Sequence, residues 1–239
     1  MKIPLSARLL ACAGFVAPGD RVADIGCDHG YLGIYLLTNG TAASVIASDV
    51  NAQPLQSARA NARKFGVADR MTFHLSDGVQ RIPRDFDTLV CAGMGADTMI
   101  HILDSAPWLK CAQYRLILQC QSKAPSLRRY LSENGWRITE ESVLRDGRFL
   151  YTIMEIRWEP EYPRLTVDQW YFPPALLENP GPETVEYYHR MVKNLHIAID
   201  ARGENTDPQL REVLQKLEAL AEDPNLTFLK KENEHGSRS

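Results

Sequence analysis

The chain has 239 residues, 44% of them hydrophobic and 24% charged, with a formal net charge of −3. This composition suits a globular domain of about 150 residues plus a smaller appendage, and no apolar run approaches the roughly 18 residues that span a bilayer. A strongly basic clamp is excluded. Residues 1–159 carry 18 Lys+Arg against 16 Asp+Glu, and residues 160–239 carry 9 against 14, so a polyanion would be gripped only by a local patch on the first part.

The opening MKIPLSARLLACAGF is interrupted by Arg8 and reads as an amphipathic helix rather than a signal peptide, so a cytoplasmic protein without a membrane segment is expected. The short β-branched or apolar segments 21–26, 44–49, 71–76 and 86–92 each end in or near Gly, Asp or Ser and read as strands. Helical stretches 30–39, 53–65 and 95–104 and a short connection near 78–84 alternate with them. A fifth strand at 114–120, a helix at 124–134 and a hairpin of 136–145 with 147–158 around Gly147 follow. The alternation predicts an α/β fold with a doubly wound, mostly parallel sheet and right-handed crossovers.

Six prolines between 159 and 182 (Pro160, Pro163, Pro173, Pro174, Pro180, Pro182) argue against regular helix and mark a boundary. Two units are expected: residues 1–158, and residues 159–239 comprising a Pro-rich linker and a helical hairpin resembling a coiled coil. The hairpin helices fall at 183–201 and 208–222, the second with Asp207 as N-cap and Pro208 at its first position. The end, KKENEHGSRS, is expected to be disordered. Five cysteines without a C-x-x-C pair suggest reduced, buried thiols and no metal site.

The chemistry concentrates in VADIGCDHGYL, residues 22–32. A dinucleotide fingerprint has a glycine where this chain has Asp28, and the array is Asp24-x-Gly26-x-Asp28-x-Gly30. Carboxylates beside that turn would repel a pyrophosphate by roughly 4 kcal/mol per close pair at an effective dielectric of about 20. S-adenosylmethionine, cationic and phosphate-free, fits the same turn. Asp49, with Val50, closes the second strand where an acid can take ribose hydroxyls, and Asp77-Gly78 closes the third where an adenine edge can be read. The fourth strand runs into CAGMGAD, where Ala92, Gly93 and Met94 would border the cofactor and Met94 would wall a flat substrate base. No D-P-P-Y or N-P-P-Y stands there, which counts against methylation of an exocyclic amine.

Together LSARL (5–9), VADIGCDHGYLGIYL (22–36), IASDVNAQPLQSARANARKFG (46–66), DGV (77–79), AGMGADTMIHIL (92–103) and LILQ (116–119) resemble the bacterial tRNA (adenine-22-N1)-methyltransferase family. The resemblance implies a Rossmann-like methyltransferase domain with a C-terminal helical coiled coil, S-adenosylmethionine as cofactor and an adenine N1 in the D-arm region of tRNA as target. It maps the family's acidic motif onto Asp24, Gly26, Asp28 and His29, and its glycine loop onto Ala92 through Ala96. Departures fall on the substrate side: Ala96 for a glycine, Leu118-Gln119-Cys120-Gln121 for LQPN, and Phe172 to Leu177 for FGPxLL.

Adenine N1 carries an in-plane lone pair and needs no strong base, so positioning and charge compensation are expected to carry catalysis. Asp28, His29 and Met94 are the candidates for the reacting centre, with Tyr31 as a candidate stacking partner. Arg8, Arg59, Arg63, Lys64, Arg81 and Arg84 are candidates for a phosphate track, and Tyr187, Tyr188, His189, Arg190 and Lys193 for contacts from the hairpin. The acidic hairpin reads as a shape-reading arm or a dimer surface, and a monomer or weak homodimer is expected. A small-molecule methyltransferase lidded by the Pro-rich segment and a non-catalytic RNA-binding module are the alternatives.

Overall fold

The protein is described by a computed structural model covering residues 2–178 and 180–230. In chain order the elements are α1 (Ala7–Gly14), β1 (Asp20–Ile25), α2 (Tyr31–Thr38), β2 (Ala42–Asp49), α3 (Ala52–Lys64), β3 (Met71–Leu75), β4 (Thr88–Met94), α4 (Ala96–Asp104), β5 (Arg115–Cys120), α5 (Ala124–Glu133), β6 (Trp136–Asp146), β7 (Phe149–Trp158), α6 (Val167–Tyr171), α7 (Ala175–Glu178), α8 (Pro182–Arg202) and α9 (Pro208–Glu222). The strands form one seven-stranded sheet in the order β3-β2-β1-β4-β5-β7-β6. β1 to β5 run parallel, and β7 returns antiparallel between β5 and β6. This is the doubly wound, mostly parallel sheet expected from the alternation.

The period-two alternation of each central strand feeds two separate layers. Val22, Val45, Val90 and Ile117 face α1, α2 and α3, where Cys12, Leu36 and Ala58 pack. Ala23, Ile46, Leu89 and Leu118 face α4 and α5, where Met99, Ile102 and Leu127 pack. Burial on both faces explains why the strands read as nearly continuous apolar runs. A third cluster is built from Phe172, Leu176, Tyr188, Leu195, Val213 and Leu217 of α7, α8, α9 and the segment before them.

Several expectations need correction. Two short helices, α6 and α7, lie within 159–182, because Pro163, Pro173 and Pro174 flank these helices instead of interrupting them. β4 begins two residues later than expected and continues through Gly93 to Met94 across an irregularity in its pairing with β5. Cys111 is only half-buried, while the other four thiols are buried and all five are free. The hairpin around Gly147 forms, with Asp146 opposite Phe149, and Asp207 caps α9 by accepting from Gln209 N at 2.9 Å. Nearly all of the tail expected to be disordered lies outside the described residues. Among the described residues no helix is long and apolar enough to cross a membrane.

Candidate active site

Strand order reverses between β1 and β4, so a crevice opens at the carboxyl ends of these strands, the place where open α/β sheets take ligands. The turn leaving β1 is tied to β2 by two backbone hydrogen bonds, from Gly26 N and Cys27 N to Ser48 O at 2.8 and 2.9 Å. It then passes through left-handed conformations at Gly26 (φ +72°), Asp28 (φ +48°) and Gly30 (φ +73°). A short polar side chain such as Asp tolerates that region better than most. Asp49 braces the turn: its carboxylate accepts from Asp28 N at 3.2 Å and from Asn51 N at 2.9 Å. Asn61 Nδ2 donates to His29 O at 3.0 Å, fixing the next residue. The backbone is held from behind while the Asp28 and His29 side chains stand exposed, with His29 Nε2 3.6 Å from Asp28 Oδ1. Tyr31 sets its ring centroid 5.9 Å from that of His29.

Asp24 differs from Asp28 in kind. It is 3% exposed, and its Oδ2 is buried without a hydrogen-bond partner. Burial pushes its carboxyl up to about 7; an amide hydrogen bond from Gly33 draws it back, and the charge of Asp49 raises it further. A buried carboxylate oxygen with no partner is costly unless a ligand supplies a donor or a positive charge. The turn therefore fits a cationic, donor-bearing ligand and disfavours a phosphate. Above Asp24 the chain comes very close to β4, since a Cβ on Gly26 would lie 2.4 Å from Met94 Cε. Only glycine combines that approach with φ +72°.

The end of β4 is equally constrained. Gly93 N donates to Gln119 Oε1 at 2.9 Å, and the chain after β5 closes over the loop through Gln121 N to Met94 O at 2.9 Å and Ala96 N to Ser122 O at 3.2 Å. On its open side, a Cβ at Gly93 would meet Arg8 Nη1 at 3.4 Å and Gln121 Nε2 at 3.5 Å. Arg8 thus reaches from α1 to the loop beside Met94, 3.8 Å from Asp146 and 5.9 Å from the Tyr151 ring centroid. Sequence reasoning missed Gln119. Its signal was a lone amide following the apolar run Leu116-Ile117-Leu118, and the structure buries it fully.

The remaining candidates disperse. Val50 is 65% and Leu75 51% exposed, at the ends of β2 and β3, leaving apolar surface beside Asp49. Asp77 is exposed, and Gly78 O accepts from Ser48 Oγ at 3.5 Å. Arg59 and Arg63 line a cavity of about 330 Å³ with Phe73 and His74, and Arg59 lies 4.8 Å over the Phe73 ring. Lys64 follows in the last turn of α3. Arg81 stands in the loop after β3, and Arg84 lies over Trp108 at 4.5 Å. The six basic residues of the expected track therefore fall in three places: Arg59, Arg63 and Lys64 on α3, Arg81 and Arg84 in the segment between β3 and β4, and Arg8 at the site itself. Tyr188 is corrected as an RNA contact, whereas Tyr187 is half-buried on α8. Tyr188 is 3% exposed and donates to Leu217 O at 2.7 Å, and the Tyr187 hydroxyl accepts from Arg128 Nη2 at 3.3 Å. Arg190 pairs with Glu186 at 2.6 Å, and Lys193 is exposed. Among the described residues no three His, Cys, Asp or Glu side chains gather as metal ligands do.

Comparison with known proteins agrees with this geometry. The family profile of a methyltransferase domain matches residues 5–154. The tRNA (adenine(22)-N(1))-methyltransferase of Bacillus subtilis is 30% identical over 154 residues, 64% of this chain and 65% of that protein, so the match spans a little under two thirds of that relative's length. A putative tRNA methyltransferase of Mycoplasma pneumoniae is 30% identical over 200 residues, 81% of this chain and 90% of that one. Among solved structures, a putative tRNA (m1A22) methyltransferase of Streptococcus pneumoniae, in complex with S-adenosyl-L-methionine, superposes with a TM-score of 0.78 at 28% identity, covering 90% of this chain and 98% of that one. A cationic-ligand turn at the β1/β4 switch point, on a sheet of this order and with a family profile spanning residues 5–154, places the chain in the methyltransferase-domain family.

Proposed function

We propose that this chain transfers a methyl group from S-adenosylmethionine to N1 of adenine 22 in the D-arm region of tRNA, in the cytoplasm. The observation that carries the cofactor half is the partnerless buried oxygen of Asp24 beneath a glycine turn lined by a second carboxylate, Asp28. The substrate half is supported by the tRNA-directed names of the relatives. Residues 1–158 form the cofactor-binding unit, and residues 159–239 are an appendage that shapes the RNA-facing side. The chain acts as a monomer or weak homodimer and needs no metal.

When bound, S-adenosylmethionine supplies an electrophilic methyl group on a sulfonium. Asp24 and the turn through Asp28 hold the ligand's positive charge, Asp49 with Val50 and Asp77 with Gly78 receive the nucleoside portion, and Gly26, Gly30, Ala92, Gly93 and Met94 line its approach. Adenine N1 lies on the Watson–Crick edge, so the base is unpaired or flipped before it reaches Met94 and the Gly93 loop. The in-plane lone pair reacts without prior loss of a proton, so no residue here serves as a strong base. Methylation leaves a cation, which the exposed carboxylate of Asp28 offsets while His29 orients the entering base or that carboxylate. Arg8 stands beside the Gly93 loop to hold the incoming RNA backbone. Arg59, Arg63, Lys64 and Arg81 supply more distant phosphate contacts.

Cofactor affinity follows the ionisation of Asp24. Burial pushes this carboxyl from its ordinary 3.8 up to about 7. Stability contributed by the neutral form is present below pH 3.8 and is lost as pH rises through about 7, whereas the cationic ligand needs the charged form. Affinity for S-adenosylmethionine is therefore expected to fall up to about tenfold per pH unit below neutrality, with proton release on binding at pH about 6. Calorimetric titration in buffers of different ionisation enthalpy reads both effects, and Asp24→Asn should abolish the slope. Incubating the purified protein with labelled cofactor and unmodified bacterial tRNA tests the activity. Label in RNA is expected; bound cofactor with no transfer to any tRNA would overturn the proposal.

A further inference from the structure

A second, smaller cavity, of about 170 Å³, lies against the loop after β5 and is walled on its other side by α8. Gln121, Lys123, Tyr151, Thr152, Tyr187 and Met191 are among its lining residues. It adjoins the methyl-transfer loop, because the chain at Gln121 and Ser122 that borders it also accepts from and donates to the backbone of Met94 and Ala96. Its most telling member is Thr152. This residue is 2% exposed, and its Oγ1 is buried with no hydrogen-bond partner. A hydroxyl left so at a cavity wall is a group waiting for a ligand atom. Two aromatic rings, Tyr151 and Tyr187, and the flexible Met191 supply flat and adaptable apolar walls. Lys123 stands at the rim, its side chain 61% exposed and its amine 2.7 Å from Asp97.

Aromatic faces, one buried hydrogen-bonding group and a cation at the entrance are the elements with which proteins receive a single unstacked nucleotide. We propose that this cavity takes the base of a nucleotide adjacent to the target adenine, with Lys123 near its phosphate. The inference rests on the tRNA reading above. Extruding one base strips a stacking partner from its neighbours, and a cavity one loop away from Met94 is placed to receive one of them. It also gives α8 a part in the site: Tyr187 and Met191 complete a wall that the methyltransferase fold alone lacks.

The test compares wild type, Thr152→Val, Thr152→Ser and Met191→Trp on three tRNAs: intact, abasic at the nucleotide before the target, and abasic at the one after. Initial rates and filter binding of tRNA are both read. Thr152→Val and Met191→Trp are expected to raise KM and Kd for intact tRNA about five- to tenfold, with kcat and S-adenosylmethionine affinity within about twofold of wild type, and Thr152→Ser to retain wild-type values. One abasic tRNA should impose the same loss on wild type and no further loss on the variants. Wild type indifferent to both abasic tRNAs, or KM and Kd unchanged in Thr152→Val and Met191→Trp, would overturn the proposal. Failure of wild type to methylate intact tRNA would instead overturn the underlying activity.

Discussion

Replacing Arg128 with alanine is expected to destabilise the protein by about 3–5 kcal/mol, because it strands a buried carboxylate. Arg128 on α5 and Glu141 on β6 are both fully buried, with Nη2 2.7 Å from Oε1 and Nε within 3.2 Å of both oxygens. The same guanidinium donates through Nη1 to Trp170 O at 2.9 Å and Tyr171 O at 3.1 Å, and through Nη2 to the Tyr187 hydroxyl. One side chain therefore joins the sheet, α6 and α8, and satisfies two carbonyls at the end of a short helix. Burial raises the Glu141 carboxyl while Arg128 holds it down, so loss of the arginine leaves burial unopposed. Thermal unfolding should show a midpoint about 10 °C lower, given about 2–4 °C per kcal/mol for a chain of this size. Arg128→Met with Glu141→Leu should recover much of that loss, since apolar replacement of both partners removes the stranded charge. A single variant as stable as wild type would contradict this role.

Gly26→Ala is expected to weaken S-adenosylmethionine binding by about tenfold to a hundredfold, equivalent to roughly 1.4–2.8 kcal/mol. The left-handed backbone at residue 26 costs an alanine about 1–2 kcal/mol, and that strain has no local relief. The added methyl also lies 2.4 Å from Met94 Cε. Met94 can swing away, but doing so moves the wall of the site. Adding Met94→Ala to Gly26→Ala should therefore restore only the share due to the collision. Titration calorimetry separates the two shares, and undiminished affinity in Gly26→Ala would contradict the placement of this turn in the site.

Much of this was legible in the chain. Alternating strands and helices indicated the sheet, Asp24 and Asp28 around the glycine turn pointed to a cationic ligand and Asp49 at the end of the second strand to a nucleoside, because each signal is local. The buried Arg128–Glu141 pair was not, since its partners come together only when β6 folds back across the sheet edge to meet α5 and α6. Tyr188 read as a candidate RNA contact because periodicity does not reveal what covers a helix face; α9, whose Leu217 O accepts from its hydroxyl, covers this one. Arg8 read as one of several surface cations. Its approach to Gly93 depends on how α1 lies against the end of β4, which no spacing encodes. The short helices α6 and α7 escaped because prolines break long helices and still permit single turns between them.

Adenine methylated at N1 no longer pairs, so primer extension across a tRNA transcript incubated with the protein and S-adenosylmethionine maps the product directly. The expected result is a new arrest immediately before adenine 22, lost when that position carries guanine and lost without cofactor. Methyl transfer at another nucleotide, or an arrest indifferent to the guanine substitution, would contradict it.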